Sequence, residues 1–425
     1  MLETLRQDLR HGARLWRRSP TLALTAIASL SLGVAVSVAM FLIVNAALLR
    51  PPPVDAPEEL VLLFTGTLEE PYKTVSYPDY VDYRDRSEVF RGLAAYGEIA
   101  VSLSKEGSPE EERGVIASGN FFEVLGVRAA LGRVLTPEDD RARGGHPVVV
   151  LSHGLWQRRF GADPAIVGRE IAVNGSPYVV VGVTAPGFRG PDVLESYELY
   201  VPMAMQTQVR PPRASFSGDM DPRLLDRRGS SWLRLIGRLA PGIGIDEAAA
   251  SLAAISNQLE REHPETNRGE AATLFPLAQI DPRGYPALRA AALLLMSVAA
   301  LVLLVATANV TNLLLVRAVA RRREIAVRLA MGVSRGRLVR HLLTESLLLS
   351  AVSGPLGLLL ASWSLDGLKR LIPKTGIFSF HLDFHADVRV LAFTVAASVL
   401  SAILVGLAPA LQSSRYDLVQ ALRDG

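Results

Sequence analysis

The sequence predicts an α-helical membrane protein with four transmembrane helices and a large extracytoplasmic mixed α/β domain inserted between helices one and two. Three observations carry that reading. Residues 22–49, 290–316, 346–365 and 390–414 contain no Asp, Glu, Lys or Arg, and at 1.5 Å per residue each run can cross a hydrocarbon core of about 30 Å. The long segment between the first two runs has the short β-branched stretches and turn signals of a water-soluble α/β domain. Charge divides along the same lines. Residues 48–287 hold 25 Lys plus Arg against 33 Asp plus Glu, a net of −8, so the formal net charge of +3 leaves +11 on the rest of the chain.

Composition narrows the class further. With 49% hydrophobic residues among 425, the chain is no disordered polymer. With no cysteine it has no disulfide framework, no thiolate nucleophile and no Cys-ligated zinc or iron–sulfur cluster.

Residues 1–20 place Leu2, Leu5, Leu9, Ala13 and Trp16 at helical spacing, with Arg6, Arg10, Arg14 and Arg17 on another face. Such a helix lies in the membrane interface, its apolar stripe toward lipid and its arginines toward phosphate. The apolar run behind it is about twice the length of a signal-peptide core. No small-residue cleavage site closes it before Arg50 and Pro51-Pro52-Pro53, so residues 21–47 read as an uncleaved transmembrane helix 1.

Residues 48–287 form the extracytoplasmic domain. Strands are expected at 61–64, 148–151 and 232–239, and a hairpin joins 171–173 to 178–181 around Asn174-Gly175. Asn120 is placed to cap a helix over 121–125 that Gly126 ends; Asp246 opens an amphipathic helix over 248–262, stopped by His263-Pro264. Residues 205–231 are poor in apolar side chains and read as an exposed inserted loop or subdomain.

Helices 2, 3 and 4 are expected at 288–316, 342–365 and 390–413. The first 20 residues carry five Arg against Glu3 and Asp8, and the loop 317–341 carries eight Arg against Glu324 alone. The positive-inside bias places both in the cytoplasm, with the 366–389 loop outside and the 414–425 tail inside.

A reaction centre is not evident. Ser152-His153-Gly154 follows a β run but reads as a helix start, since Gly-x-Ser-x-Gly is absent. His381, Asp383, His385 and Asp387 lack the His-Glu-x-x-His order of a metal helix, and Glu110-Glu111-Glu112 and Asp139-Asp140 read as solvated turns. No catalytic, cofactor-binding or metal-ligating residue is assigned, and no nucleic-acid partner is expected. The chain has neither Gly-x-x-x-x-Gly-Lys-Ser/Thr nor a strand followed by a Gly-x-Gly-x-x-Gly helix start, so no phosphate cradle is recognisable. The four apolar runs contain no carboxylate, which disfavours ion-driven transport. Asn45, Thr307, Asn309, Thr311 and Asn312 are expected to hydrogen-bond between helices.

The loop between helices 2 and 3 is the most distinctive segment. Ala318, Ile325 and Leu329 recur at helical spacing, Glu324 precedes Arg328 by four residues, Gly332 fits a helix end and Ser334 can cap the next helix. The run Arg-Arg-Glu-Ile-Ala-Val-Arg-Leu-Ala-Met-Gly (322–332), followed by Glu345 at the mouth of helix 3, resembles the core motif of the FtsX-like, MacB-type permeases of ABC transporters. Phe121 to Val127 with Leu131-Gly132-Arg133, Trp156 to Gly161 and Ile166-Val167-Gly168 resemble the MacB periplasmic core domain. Val75-Ser76-Tyr77-Pro78-Asp79-Tyr80 and Leu407-Ala408-Pro409-Ala410-Leu411 resemble a bacterial subgroup in which two such halves are fused.

The resemblance implies a multi-pass protein of the bacterial inner membrane whose cytoplasmic N-terminus and loop face a separate ABC ATPase subunit. ATP would be the cofactor of that ATPase and not of this chain. Arg321, Arg322, Arg323, Glu324, Arg328, Gly332 and Glu345 would form the ATPase-coupling element. Other implied partners are a second permease unit, as homodimer or fused half, and a periplasmic adaptor, with lipid around the spans. The function implied is mechanotransmission: ATP-driven motion delivered to the outer face for export or extraction. The alternative is a non-transporting signalling or scaffold protein whose outer domain regulates a cell-envelope partner.

Overall fold

The computed structural model describes residues 20–49, 52–104, 110–191, 195–209, 223–277, 282, 285–320, 335–371 and 386–414. The interfacial helix expected over the first residues, the loop residues 321–334, the His381 and His385 pair and the C-terminal tail lie outside that set. The described residues form two compact units: a helical one up to residue 49 and from 287 onward, and an α/β one between.

In chain order, helix α1 (Pro20–Val44) continues into a π-helical segment, Asn45–Leu49. The α/β unit then runs β1 (Leu60–Gly66), α2 (Tyr77–Arg86), β2 (Phe90–Ser104), β3 (Glu110–Ala117), α3 (Phe121–Leu125), β4 (Ala129–Gly132), β5 (Val148–Leu151), α4 (His153–Phe160), β6 (Glu170–Val173), β7 (Ser176–Thr184), β8 (Leu199–Pro202), β9 (Arg234–Leu239), α5 (Ile245–Glu262) and β10 (Ala271–Pro276). The helical unit resumes with α6 (Tyr285–Ala320), α7 (Arg335–Leu371) and α8 (Val388–Ser414). Four stretches, Pro20–Leu49, Pro286–Val316, Leu343–Leu368 and Val388–Leu407, are long and apolar enough to cross a membrane.

The ten strands form one sheet in the order β10-β1-β9-β2-β3-β8-β5-β7-β4, with β6 pairing β2 and β7. Only β3 with β8 and β5 with β7 run parallel. Each face carries a core because strand side chains alternate. Leu93 and Ala95 of β2 point into a layer with Tyr80 and Tyr83 of α2, Leu155 of α4 and Leu252 and Leu259 of α5. Ala94 and Tyr96 point the other way, onto Phe121 and Phe122 of α3.

Local sequence explains the element ends. The Ser76 hydroxyl caps α2 by accepting from the Asp79 amide, and Asn174 and Gly175, with φ of 51° and 79°, make the expected turn between β6 and β7. Gly126 ends α3 in the left-handed region.

Several expectations need correction. Asn120 does not cap α3; its side-chain amide donates to the Leu93 carbonyl 2.9 Å away, fastening the helix to β2 instead. Asp246 lies in the first turn of α5, whose cap is Gly244. The acids 110–112 are no turn but the first residues of β3, paired with Leu103, Ser102 and Val101. Residues 223–231 are not a bare loop, because Leu224 and Leu225 are buried in the core and Arg143 and Arg228 pair with Asp226 and Asp79.

In the helical unit α1 is central. Ala26, Leu30, Val34, Val38 and Leu42 pack on residues of α6, α7 and α8, while Leu24 and Leu32 on its other side stay exposed. Helix α6 leaves more of its surface bare, with Leu293, Leu294, Leu301 and Val305 exposed, as a lipid-facing helix does.

Candidate functional site

The predicted coupling loop hangs on two stems. Helix α6 runs to Ala320, past the apolar span that stops at Val316, and α7 starts at Arg335, before the span that begins at Leu343. Among the predicted coupling residues, Arg321, Arg322, Arg323, Glu324, Arg328 and Gly332 lie outside the described residues, and Glu345 lies inside them. Glu345 is 8% exposed and stands next to the fully buried Ser346. A methyl group on Gly406 of α8 would meet the Ser346 hydroxyl at 2.6 Å, so this is a close α7–α8 approach.

The other helix contacts use small residues as well. A methyl on Gly33 would come within 2.6 Å of Ala306 Cβ, and one on Gly357 within 2.7 Å of Val34 Cγ1, so α1 meets α6 and α7 through bare backbone. The Ser37 hydroxyl is 2.9 Å from the Gly33 carbonyl and 3.2 Å from that of Ala299 in α6. Thr307 and Thr311, expected to bond across helices, donate instead to the Leu304 and Thr307 carbonyls of their own helix. Asn309 and Asn312 are exposed on α6.

Asn45 does bond between helices. Its carboxamide donates to Asp387 Oδ2 at 2.9 Å, and Asp387 Oδ1 accepts from the Val390 amide at 3.0 Å, capping α8. The Asn45 amide in turn holds the Asp387 carboxyl below the usual carboxylate range. Asp387 is therefore accounted for as a helix cap. The signal was present in the sequence as an acid three residues before an apolar run. Arg389 donates to the Leu49 carbonyl, and the Phe41 and Phe393 rings stack with centroids 4.2 Å apart.

The α/β unit offers scaffolding where a reaction centre was sought. The Ser152 hydroxyl accepts from the Leu155 amide and donates to Glu198 Oε2 at 2.5 Å, so it is a helix cap held by a buried acid, as its position implied. Asp139 and Asp140 are not solvated. Arg133 grips Asp139 through both oxygens at 2.5 and 2.8 Å, while Asp140 accepts from the amides of Ala204 and Gly119. Burial pushes the Asp140 carboxyl up to about 6 despite those two donors. Beneath the sheet, Arg234 joins Glu98 and Glu195, each at 2.9 Å, and Arg113 joins the same two acids. Burial alone would raise Glu195, but Arg234, the Tyr197 hydroxyl and Arg113 hold it low. Among the described residues no group of three or more His, Asp or Glu is placed to hold a metal ion.

Two family models match the chain in succession. A model of the MacB-like periplasmic core domain matches residues 23–255, and one of the FtsX-like permease C-terminal region matches residues 296–418. The macrolide export ATP-binding/permease protein MacB of Burkholderia cenocepacia (strain HI2424) is 26% identical over 303 residues, covering 71% of this chain and 40% of that protein. The pyoverdine export ATP-binding/permease protein PvdT of Pseudomonas entomophila (strain L48) is 23% identical over 363 residues, covering 84% and 50%. The chain thus spans between 40% and half of the length of these relatives. Among solved structures, the periplasmic region of MacB from Actinobacillus actinomycetemcomitans aligns with a TM-score of 0.37 at 15% identity over 52% of this chain and 89% of that one. The extracellular domain of the ABC-type transporter YknZ from Gram-positive bacteria aligns at 0.36 and 15%, over 51% and 99%. With the core-domain match spanning residues 23–255 and the permease match following it, the chain belongs to the FtsX-like, MacB-type permeases of ABC transporters.

Proposed function

We propose that the chain is the membrane subunit of a mechanotransmission exporter of the inner membrane, driven by a separate cytoplasmic ATPase. The observation that carries this reading is the pair of helical stems. The loop carries eight Arg against one acid, and the helices on either side of it, α6 to Ala320 and α7 from Arg335, extend beyond their apolar spans, which supports a site for a cytoplasmic partner. Arg321, Arg322, Arg323, Glu324, Arg328 and Gly332 would dock on the ATPase, with Glu345 at the start of the α7 span. The sequence holds no recognisable phosphate cradle, which supports ATP binding in a partner subunit.

A push on the loop moves α6 and α7 together. Because α1 meets both through Gly33 and Gly357, the push reaches the helix whose end continues into the core domain. The N-terminus and loop face the cytoplasm on this reading, and the core domain works in the periplasm. Pairing with a second permease unit is supported by Asn309 and Asn312, exposed amides in a membrane-spanning helix that would find hydrogen-bond partners there. Export is the reading favoured by the relatives' names, and a periplasmic adaptor would receive the motion.

The test is the complex of the full chain with its ATPase in lipid bilayers. Glu324→Ala and Arg328→Ala are expected to lower permease-stimulated ATP hydrolysis at least about tenfold, a coupling change of about 1.4 kcal/mol, with membrane insertion unchanged. Full stimulation in both variants would remove the loop's role, and ATP hydrolysis by the chain alone would remove the division of labour.

A further inference from the structure

We propose that Asn45, Asp387 and Arg389 form a joint that delivers rearrangement of α8 to the root of the core domain. The inference rests on the mechanotransmission reading above and specifies where the motion leaves the membrane helices. Within the helical unit, the last two turns of helix 1 are tied to the first two turns of α8 at three levels. Phe41 stacks on Phe393 with planes 3° apart, Asn45 donates to Asp387, and Arg389 donates to the Leu49 carbonyl. One carboxylate serves both helices, since Asp387 caps α8 through Oδ1 and holds Asn45 through Oδ2. Leu49 is then followed directly by Arg50, where the α/β residues begin.

Two features mark the joint as a place of change rather than a fixed weld. Helix 1 leaves α-helical geometry at Asn45 and is π-helical to Leu49; π segments carry an extra residue per turn and recur at functional positions. Returning that segment to α geometry would turn everything beyond it by about 100° and shift it by about 1.5 Å. The Asn45 Oδ1 atom is also buried without a hydrogen-bond partner, a cost that a second arrangement can relieve.

The absence of cysteine lets spin-label pairs be placed in the full chain without removing native thiols. Labels at Leu49 and Leu391, both exposed, read the joint; labels at Leu68 of the α/β unit and Val305 of α6, also exposed, read the delivered motion. Both pairs are measured in the ATPase complex in nanodiscs, nucleotide-free and ATP-trapped. Asn45→Leu is expected to widen the 49–391 distance distribution at least about twofold and to abolish the ATP-dependent change between 68 and 305, with ATP turnover kept within about twofold. Asp387→Asn, whose amide can cap α8 and still meet the Asn45 carboxamide, is expected to keep both readings native. If Asn45→Leu does not insert, Arg389→Ala opens the same joint from the α8 side and is expected to widen the 49–391 distribution. An unchanged 49–391 distribution, or a widened one with the full ATP-dependent change retained, overturns the joint alone. A native complex with no ATP-dependent change between 68 and 305 overturns the mechanotransmission reading itself, and the joint's role with it.

Discussion

The core domain is filled with large rings, whereas the membrane helices cross at several points through Gly, Ala and Ser. In the α/β unit Tyr96, Phe121, Phe122 and Tyr200 interlock with ring centroids 5.1–6.1 Å apart, and Arg234 fixes two acids beneath them. In the helical unit Gly33 meets Ala306, Gly357 meets Val34, and the hydroxyls of Ser31, Ser350 and Ser398 are buried without hydrogen-bond partners. Interlocked aromatics have few alternative packings. Seams lined by small residues have more. The contrast suits a body that is moved and a bundle that does the moving.

Three substitutions probe that contrast in the full chain in detergent micelles. The largest effect is expected for Phe121→Ala, which empties a fully buried ring site between Tyr96, Phe122 and Tyr200. It should cost about 3–5 kcal/mol and unfold the α/β unit at lower denaturant while the helices stay folded, as circular dichroism at two wavelengths would show. An equal loss in the helices would mean that the units unfold as one.

Next comes Gly357→Val, which pushes a branched side chain against Val34 and the Ala35 amide. A loss of about 1–3 kcal/mol is expected, with faster amide exchange along α1 and α7, because the seam has no room for the new side chain and the helices must part. Unchanged exchange would show that the two helices separate here at no cost.

The smallest effect belongs to Asp140. Its folded-state pKa of about 6 lies above its ordinary 3.8, so the folded chain holds the proton more tightly than the unfolded one. Its contribution to stability is thus fully present below pH about 4 and is lost as pH rises through about 6. Asp140→Asn should flatten this part of the urea-midpoint profile between pH 4 and 6, at a lower overall stability because its NH2 faces one of the two backbone donors that the carboxylate accepts. Asp139, held low by Arg133 and the Thr136 amide against its own burial, acts with the opposite sign and loses its contribution as pH falls. A midpoint profile that stays unchanged in Asp140→Asn would show that the two backbone donors fully offset the burial.

How much of this was legible beforehand depended on the range of the interaction. The four spans were readable because a charge-free run is a local property, and so were the β6–β7 turn at Asn174-Gly175 and the α4 cap at Ser152. The failures share a cause. Asn120, Asp139, Asp140 and Leu224 look like surface residues within their own windows, and only partners brought in by the fold, Leu93, Arg133, Ala204 and the sheet, bury or bind them. Asp387 was readable as a cap but not as the partner of Asn45, which lies 342 residues away in sequence. The loop motif was recognisable only through resemblance, on residues 322–332 and Glu345.

The central claim is that work done on the loop reaches the core domain, and it is tested most directly by one distance. In the complex with its ATPase, labels at Leu68 and Val305 should change separation between the nucleotide-free and ATP-trapped states, and Glu324→Ala should abolish that change with the complex still assembled. No change in the native complex, or a full change with Glu324→Ala, would contradict the account.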